Sequence, residues 1–278
     1  MLKSKSILIL LSAVICLSAN LIEAMAQKSL TKKLAIQGST TVLPIAQRCA
    51  EEFMKEHPEA NISVRGGGSG VGIAALIDGT IDIADASRAM KTKELKKARV
   101  NGINPVAHVV ARDAIAVILH PQNPVNNLTK SQLKAIYTGA ISRWNEVGGT
   151  SDVIVVVSRD VASGTFEVFN ELALDKQRVR PDALMQASNQ AVVNIVASTN
   201  GAIGYVGLGY LSKEVKPIAI DGVMPSVATA KSGAYLLARS LYMYTDGKPK
   251  GLAKEFIDFV LGPKGQKIVK EEGFVPVK

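Results

Sequence analysis

Along almost the whole chain, short apolar runs alternate with segments whose apolar residues recur every three or four positions. The runs Leu34–Ile36, Ile62–Val64, Ile81–Ala84, Val106–Val110, Ala114–Leu119, Val153–Val157, Ile203–Val206 and Pro217–Ile220 read as strands. Between them, Val42, Ala46, Cys49 and Phe53 share one helical face, and Ile73, Ala74 and Ile77 share another. Thr129-Lys130-Ser131-Gln132 matches a capping box ahead of Leu133 and Ile136. Ser188 can cap a helix over Gln190–Ala197 that stops near Asn200-Gly201. Leu252, Phe256, Phe259 and Val260, then Ile268 and Val269, predict two helices near the C-terminus. Strands alternating with helices predict an α/β architecture.

Three of the strand-to-helix junctions carry glycine together with hydroxyl side chains. After Leu34–Ile36 comes Gly38-Ser39-Thr40-Thr41, and after Ile62–Val64 comes Gly66-Gly67-Gly68-Ser69-Gly70. After Val153–Val157 comes Arg159-Asp160-Val161-Ala162-Ser163-Gly164-Thr165, followed by the amphipathic run Phe166–Leu172. A helix N-terminus has unpaired N–H donors and roughly half a positive charge, so it accommodates an anion. Glycine lets the backbone approach a ligand, and Arg159 adds a planar fork of donors suited to a tetrahedral oxyanion. One such junction is an ordinary N-cap; three of them with a flanking arginine predict convergence on a small anion.

The chain has 278 residues, and residues 1–26 have the form of a secretory leader: Lys3 and Lys5, apolar Ile7 to Leu17, then Ala24-Met25-Ala26. Its apolar core is too short to span a bilayer. Cys16 would fit a lipoprotein leader, but the bulky Ile15 before it favours cleavage after Ala26. The expected location is therefore periplasmic or secreted. Only Cys49 remains after the leader, so no intrachain disulfide is possible; its helical spacing makes it a small buried hydrophobe. The leader holds two lysines and one glutamate, which leaves +8 of the formal +9 charge. That balance can steer anions. With 5% aromatic residues and the basic cluster Lys91–Lys97 reading as a solvated helix face, nucleic-acid binding is not expected.

No linker rich in proline, glycine or serine divides the chain, so an inserted lobe is expected, with crossings near Ala111–Ala114 and Gly204–Gly209. Together these segments resemble the phosphate-binding protein of the bacterial ABC phosphate importer, a type II periplasmic substrate-binding protein. Gln37–Pro44, Gly66–Gly72, Ile81–Arg88, Leu133–Gly139, Arg159–Phe166 and Gly201–Tyr205 carry the resemblance over essentially the whole mature chain. It implies an α/β, two-lobed type II fold with a hinge and an interlobe ligand cleft. The first lobe would comprise 27–112 and 207–278, and the second 113–206. Inorganic phosphate is the implied ligand, captured by hinge closure of a monomer and delivered to the transporter permease in the cytoplasmic membrane, with no cofactor and no metal. The resemblance further implies contacts from Ser39, Thr40, Thr41 and Ser69 on one lobe, and from Arg159, Ser163, Gly164 and Thr165 on the other.

Some members of the family have an aspartate, accepting the proton of hydrogen phosphate, where this chain has Ser87. Asp85, two residues upstream, is an alternative acceptor, and Arg88 is expected in a salt bridge at the surface or between lobes. A serine hydroxyl can accept or donate, so sulfate, tungstate or molybdate remain alternative ligands. Enzymatic activity is not expected. No G-x-S-x-G elbow surrounds Ser163, and His57, His108 and His120 have no triad or metal spacing. The glycine run lacks the lysine of a P-loop. A secreted phosphatase is the best enzymatic alternative.

Overall fold

The computed structural model describes residues 32–278, so the expected leader and Cys16 lie outside the described residues. The chain runs through β1 (Lys32–Gly38), α1 (Leu43–Glu56), β2 (Ala60–Arg65), α2 (Ser69–Ile77) and β3 (Ile83–Ala86). β1 lies between β2 and β3 and is parallel to both, with Leu34 opposite Ile62 and Ile36 opposite Ile83. Parallel neighbours need a crossover, and α1 and α2 supply it. α3 (Thr92–Val100) follows and buries Ala98, its lysines lying in solvent.

β4 (Pro105–Leu119) merges the two strands expected over 106–110 and 114–119 into one. Beyond it come β5 (Asn127–Leu128), α4 (Lys130–Thr138), β6 (Val155–Arg159), α5 (Gly164–Leu172), β7 (Leu184–Gln186), α6 (Asn189–Ser198) and β8 (Ala202–Gly207). The expected strand at 217–220 is divided between β9 (Lys216–Pro217) and β10 (Ala219–Ile220). α7 (Val227–Ser232), β11 (Ala238–Asp246), α8 (Gly251–Leu261) and α9 (Pro263–Glu271) complete the chain. The strand order is β2-β1-β3-β11-β4-β8-β6-β7, with β9 also paired to β4.

β4 joins two halves of this curled sheet. From Pro105 to Ala114 it pairs antiparallel with β11, and from Ile115 to Leu119 it pairs antiparallel with β8. A separate core lies on each side of the change. One gathers Leu34, Ile36, Ile45, Phe53, Met243, Phe256 and Val269; the other gathers Val117, Leu133, Trp144, Phe169, Val192 and Tyr205. A smaller cluster of Ile73, Leu76, Ala84 and Tyr244 lies under α2. Burying a side chain of this size stabilises the fold by about 1.5–3 kcal/mol. Leu208, Val215, Ile218, Ile220, Ala230, Tyr235 and Leu237 all enter the second core, and the chain then returns on β11.

The local signals for caps hold. Thr129 Oγ1 accepts the Gln132 amide at 3.1 Å, and Gln132 Oε1 accepts the Thr129 amide at 2.9 Å. Ser188 Oγ accepts the Ala191 amide at 3.1 Å. Both C-terminal helices form where their periodicity places them.

Candidate functional site

At the end of β1 the backbone of Gly38 adopts φ +148°, and a Cβ there would lie 2.1 Å from the Asp85 carbonyl oxygen. Glycine is required, because β1 and β3 come together at this point. The Ser39 amide donates to that same carbonyl at 2.8 Å, and Ser39 Oγ accepts the amides of Thr41 and Val42 at 3.1 and 3.4 Å. Pro44 then opens α1, where a missing N–H costs nothing. Ser69 starts α2 and accepts the Ser87 amide at 3.0 Å, its Oγ lying 3.3 Å from Ser87 Oγ.

The other side is built on β6, β8 and two helix starts. Phe169 stacks on Tyr205 with ring centroids 3.9 Å apart, and Tyr137 meets Phe169 edge-on at 4.8 Å. This cluster fixes the Tyr205 hydroxyl, which accepts the Arg159 amide at 3.1 Å. Arg159 is fully buried; its Nε donates to Gln186 O at 3.0 Å and its Nη2 to Ala187 O at 3.0 Å. Ser163 caps α5 by accepting the Phe166 amide at 3.2 Å. Asp160 accepts the Ala162 amide within its own turn, so it is not the partner of Arg159.

The two sides meet at the hydroxyls. Arg159 Nη2 donates to Thr40 Oγ1 at 3.1 Å, and Thr41 Oγ1 lies 3.0 Å from Thr165 Oγ1. The Gly70 amide donates to Ala162 O at 2.9 Å. A Cβ on Gly164 would lie 2.4 Å from Ser69 Oγ and 2.8 Å from Ser87 Oγ. Ser39, Thr40, Thr41, Ser69, Ser87, Arg159, Ser163, Gly164 and Thr165, the nine residues expected from sequence, are therefore all buried within one small region. The starts of α1, α2, α5 and α6 surround it. The amides of Gly164 and Thr165, in the first turn of α5, have no partner inside the helix.

Sequence reasoning missed three members of this cluster. Asn189 Nδ2 lies 3.1 Å from both Thr40 Oγ1 and Thr41 Oγ1. Arg239 on β11 donates to Thr165 Oγ1 at 3.0 Å and pairs with Asp113 on β4 at 2.8 Å. A polar residue in the first turn of a capped helix was the available signal for Asn189. Arg239 and Asp113 carry no local motif.

The hydrogen bonds orient the hydroxyls. Thr40 Oγ1 takes protons from Arg159 and Asn189, Thr41 Oγ1 from Asn189 and Arg239, Ser163 and Ser69 each take one from an amide, and Ser39 takes two. With their lone pairs engaged, these groups retain O–H protons to donate. Arg159 Nη1 is buried without a hydrogen-bond partner among the described residues. Burial pushes the Arg159 guanidinium down from its usual range while the Tyr205 phenol opposes this, and a guanidinium stays charged regardless. Donors plus an unpaired buried cation form a site for an anion. Ser87 Oγ receives no amide, which leaves it the hydroxyl best placed to accept a proton.

Asp85 does not fill that role in this arrangement. It shares a face of β3 with Ile83, a member of the first core, and lies near enough to Cys49 for its charge to push the thiol up. Neither carboxylate oxygen has a hydrogen-bond partner, and burial pushes its pKa well above the usual range. Arg88 joins the two sides: it pairs with Glu94 at 2.8 Å, and its Nε lies 2.8 Å from Glu167 on α5, off the hydrogen-bond direction. Cys49 is buried, and burial raises its thiol to about 12. His57 stacks on Phe53, His108 contacts Thr245 and His120 bonds its own turn, all apart from the hydroxyl cluster. Among the described residues no group of three metal-binding side chains occurs, and no helix is long and apolar enough to cross a membrane.

The sequence matches a PBP superfamily domain over residues 24–264. The phosphate-binding protein PstS of Bacillus subtilis is 35% identical over 256 residues, covering 91% of this chain and 84% of that protein. PstS of Pseudomonas aeruginosa is 32% identical, covering 96% and 90%. Among solved structures, a Clostridium perfringens protein described as a phosphate ABC transporter substrate-binding protein with bound phosphate superposes with TM-score 0.83 at 32% identity. That match covers 89% of this chain and all of the other. A phosphate transport receptor from Vibrio cholerae gives TM-score 0.73 at 32% identity, covering 87% and 99%. On its two-lobed fold and on these matches along most of its length, the chain belongs to the phosphate-binding protein family of the PBP superfamily.

Proposed function

We propose that this chain is an exported receptor for inorganic phosphate that closes two lobes around its ligand and delivers it to an ABC transporter permease. The observation that carries this reading is the buried, unpaired Arg159 Nη1 amid hydroxyls from both lobes that retain donor protons. The lobes we propose are 32–112 with 239–278, and 113–238. The second boundary stands later than the Gly204–Gly209 crossing because Leu208 to Leu237 pack in the second core. Ser39, Thr40, Thr41, Ser69 and Ser87 would contact the anion from the first lobe, and Arg159, Ser163, Gly164 and Thr165 from the second. The protein acts as a monomer in the periplasm or outside the cell and needs neither cofactor nor metal.

Closure removes water, so the same dipoles act in a medium of lower dielectric and bind more strongly. Calorimetric titration of ligand-stripped protein tests the reading. Phosphate should bind with a dissociation constant of micromolar or tighter, about −8 kcal/mol or better. No heat and no melting shift with millimolar phosphate would overturn it. A second reading, a receptor for sulfate or another tetrahedral oxyanion, is favoured by one feature: among the described residues no carboxylate is hydrogen-bonded to the hydroxyl cluster except Asp113 through Arg239. Tighter binding of sulfate than of phosphate in the same titration would decide for it.

A further inference from the structure

Arg239 and Asp113 face each other in register on β11 and β4, the two strands that run between the cores. Arg239 Nε and Nη2 donate to Asp113 Oδ2 at 2.9 and 2.8 Å, and Asp113 Oδ1 accepts the Leu208 amide at 2.9 Å. Their side chains are 4% and 0% exposed. β4 changes partner just beyond this pair, between Ala114 and Ile115. Cross-strand neighbours stay together while the strands stay paired, so this ion pair spans the boundary between the proposed lobes, at the crossing itself.

The remaining donors of the guanidinium reach two of the three glycine-hydroxyl loops and the backbone at Ser87. Nη2 donates to Thr41 Oγ1 at 3.3 Å and Nη1 to the Ser87 carbonyl oxygen at 3.3 Å, both on the first lobe. Nη1 also donates to Thr165 Oγ1 at 3.0 Å, on the second. A buried ion pair is weak ground for stability, because desolvation offsets much of the attraction. Orientation is the better account of this one. We propose that Arg239, held by Asp113, is the positioning residue for closure. It fixes the two lobes in register through Thr41 and Thr165, and directs their hydroxyl protons away from itself, so that one joins the two threonines and the other is left to donate to the anion. Asp113 balances its charge, so the charge of the ligand is met by Arg159 and the helix starts.

This role rests on the anion-receptor reading. Wild-type protein that binds no phosphate defeats that reading, whereas a variant that behaves like wild type defeats only the role of Arg239. The experiment compares Arg239→Gln, Thr165→Val and the double variant by phosphate calorimetry, small-angle X-ray scattering with and without saturating phosphate, and melting of the ligand-free protein. Each single variant should bind at least ten-fold more weakly, and the double variant should lose much less than the product of the two, because both remove one interaction. Arg239→Gln should also lose the phosphate-induced decrease in radius of gyration. A purely structural role would lower the ligand-free melting temperature, leave that compaction intact at saturation and multiply with Thr165→Val. That pattern, or affinity within two-fold of wild type, overturns the proposal. If Arg239→Gln does not fold, Arg239→Lys replaces it, keeping the cation and removing the fork. A ten-fold loss with wild-type melting then supports the role, and unchanged affinity and compaction overturn it.

Discussion

Arg159 donates to no carboxylate among the described residues and yet is buried completely, its protons accepted by two carbonyls and one threonine hydroxyl. A cation in that setting is expensive until a countercharge arrives. Arg159→Ala should therefore weaken phosphate binding by about 2–5 kcal/mol, by analogy with removing one partner of a buried charge pair. A folded variant within a few-fold of wild type in calorimetry would show that the guanidinium serves β6 and not the ligand. Ser87 poses a separate question. Its Oγ has Ser69 Oγ at 3.3 Å and no amide behind it, so it is free to accept the proton that phosphate carries and sulfate lacks. Ser87→Ala should cost phosphate about 1–3 kcal/mol while leaving sulfate unchanged or improved. Equal losses for both anions in parallel titrations would make Ser87 a donor instead.

At the scale of elements, β3 shows two functions on one strand. Its end carries Ser87 into the hydroxyl cluster, while its interior face turns Asp85 into the first core without a partner. The raised carboxyl pKa there is caused by desolvation. With the folded pKa above the unfolded value, the native state binds the extra proton between the two. Stability then falls as pH rises from the unfolded pKa through the folded one, and below the unfolded pKa the group contributes no difference. Asp85→Asn, similar in shape and uncharged, should melt higher than wild type at pH 7–8, with the difference disappearing toward roughly pH 4. A melting difference that stays constant across that range would show that packing, not titration, is responsible.

The whole molecule is arranged around β4 and β11, and the contacts across it describe two lobes closed on one another. Gly164 stands where this is most constrained, since a Cβ there would meet Ser69 Oγ at 2.4 Å and Ser69 Cβ at 3.0 Å, both on the opposite lobe. A serine oxygen can rotate away; its Cβ moves only with the backbone of α2. Gly164→Ala should therefore fold normally, bind phosphate at least ten-fold more weakly, and show less compaction in scattering at saturation. Wild-type affinity would mean that the closed state has room to spare. For the unaltered protein, phosphate at ~100 times its dissociation constant should raise apparent stability by roughly 2.7 kcal/mol. Thermal unfolding across a phosphate series checks this.

The sequence by itself determined the alternating elements, the caps at Thr129 and Ser188 and the glycine-hydroxyl junctions. Each of these is a local property: side-chain periodicity chooses strand or helix, and a hydroxyl before a helix caps it wherever that helix lies. Only the tertiary structure decided which residues from distant parts of the chain complete the cluster. Arg239 follows Asp113 by 126 positions and acquires meaning only when β11 lies beside β4. Asn189 is unexceptional in a helix start until Thr40 and Thr41 are placed against it. The return of the chain at β11 was illegible for the same reason, since Val215, Ile218 and Leu237 are apolar for either core and only packing assigns them to the second. Asp85 is likewise polar in every reading of the sequence, and only the burial of β3 between β1 and β11 removes it from solvent. Local pattern chooses the elements because its forces act within one turn or one strand. Partnership across the crossing depends on sheet register, which forms only when the whole chain is assembled.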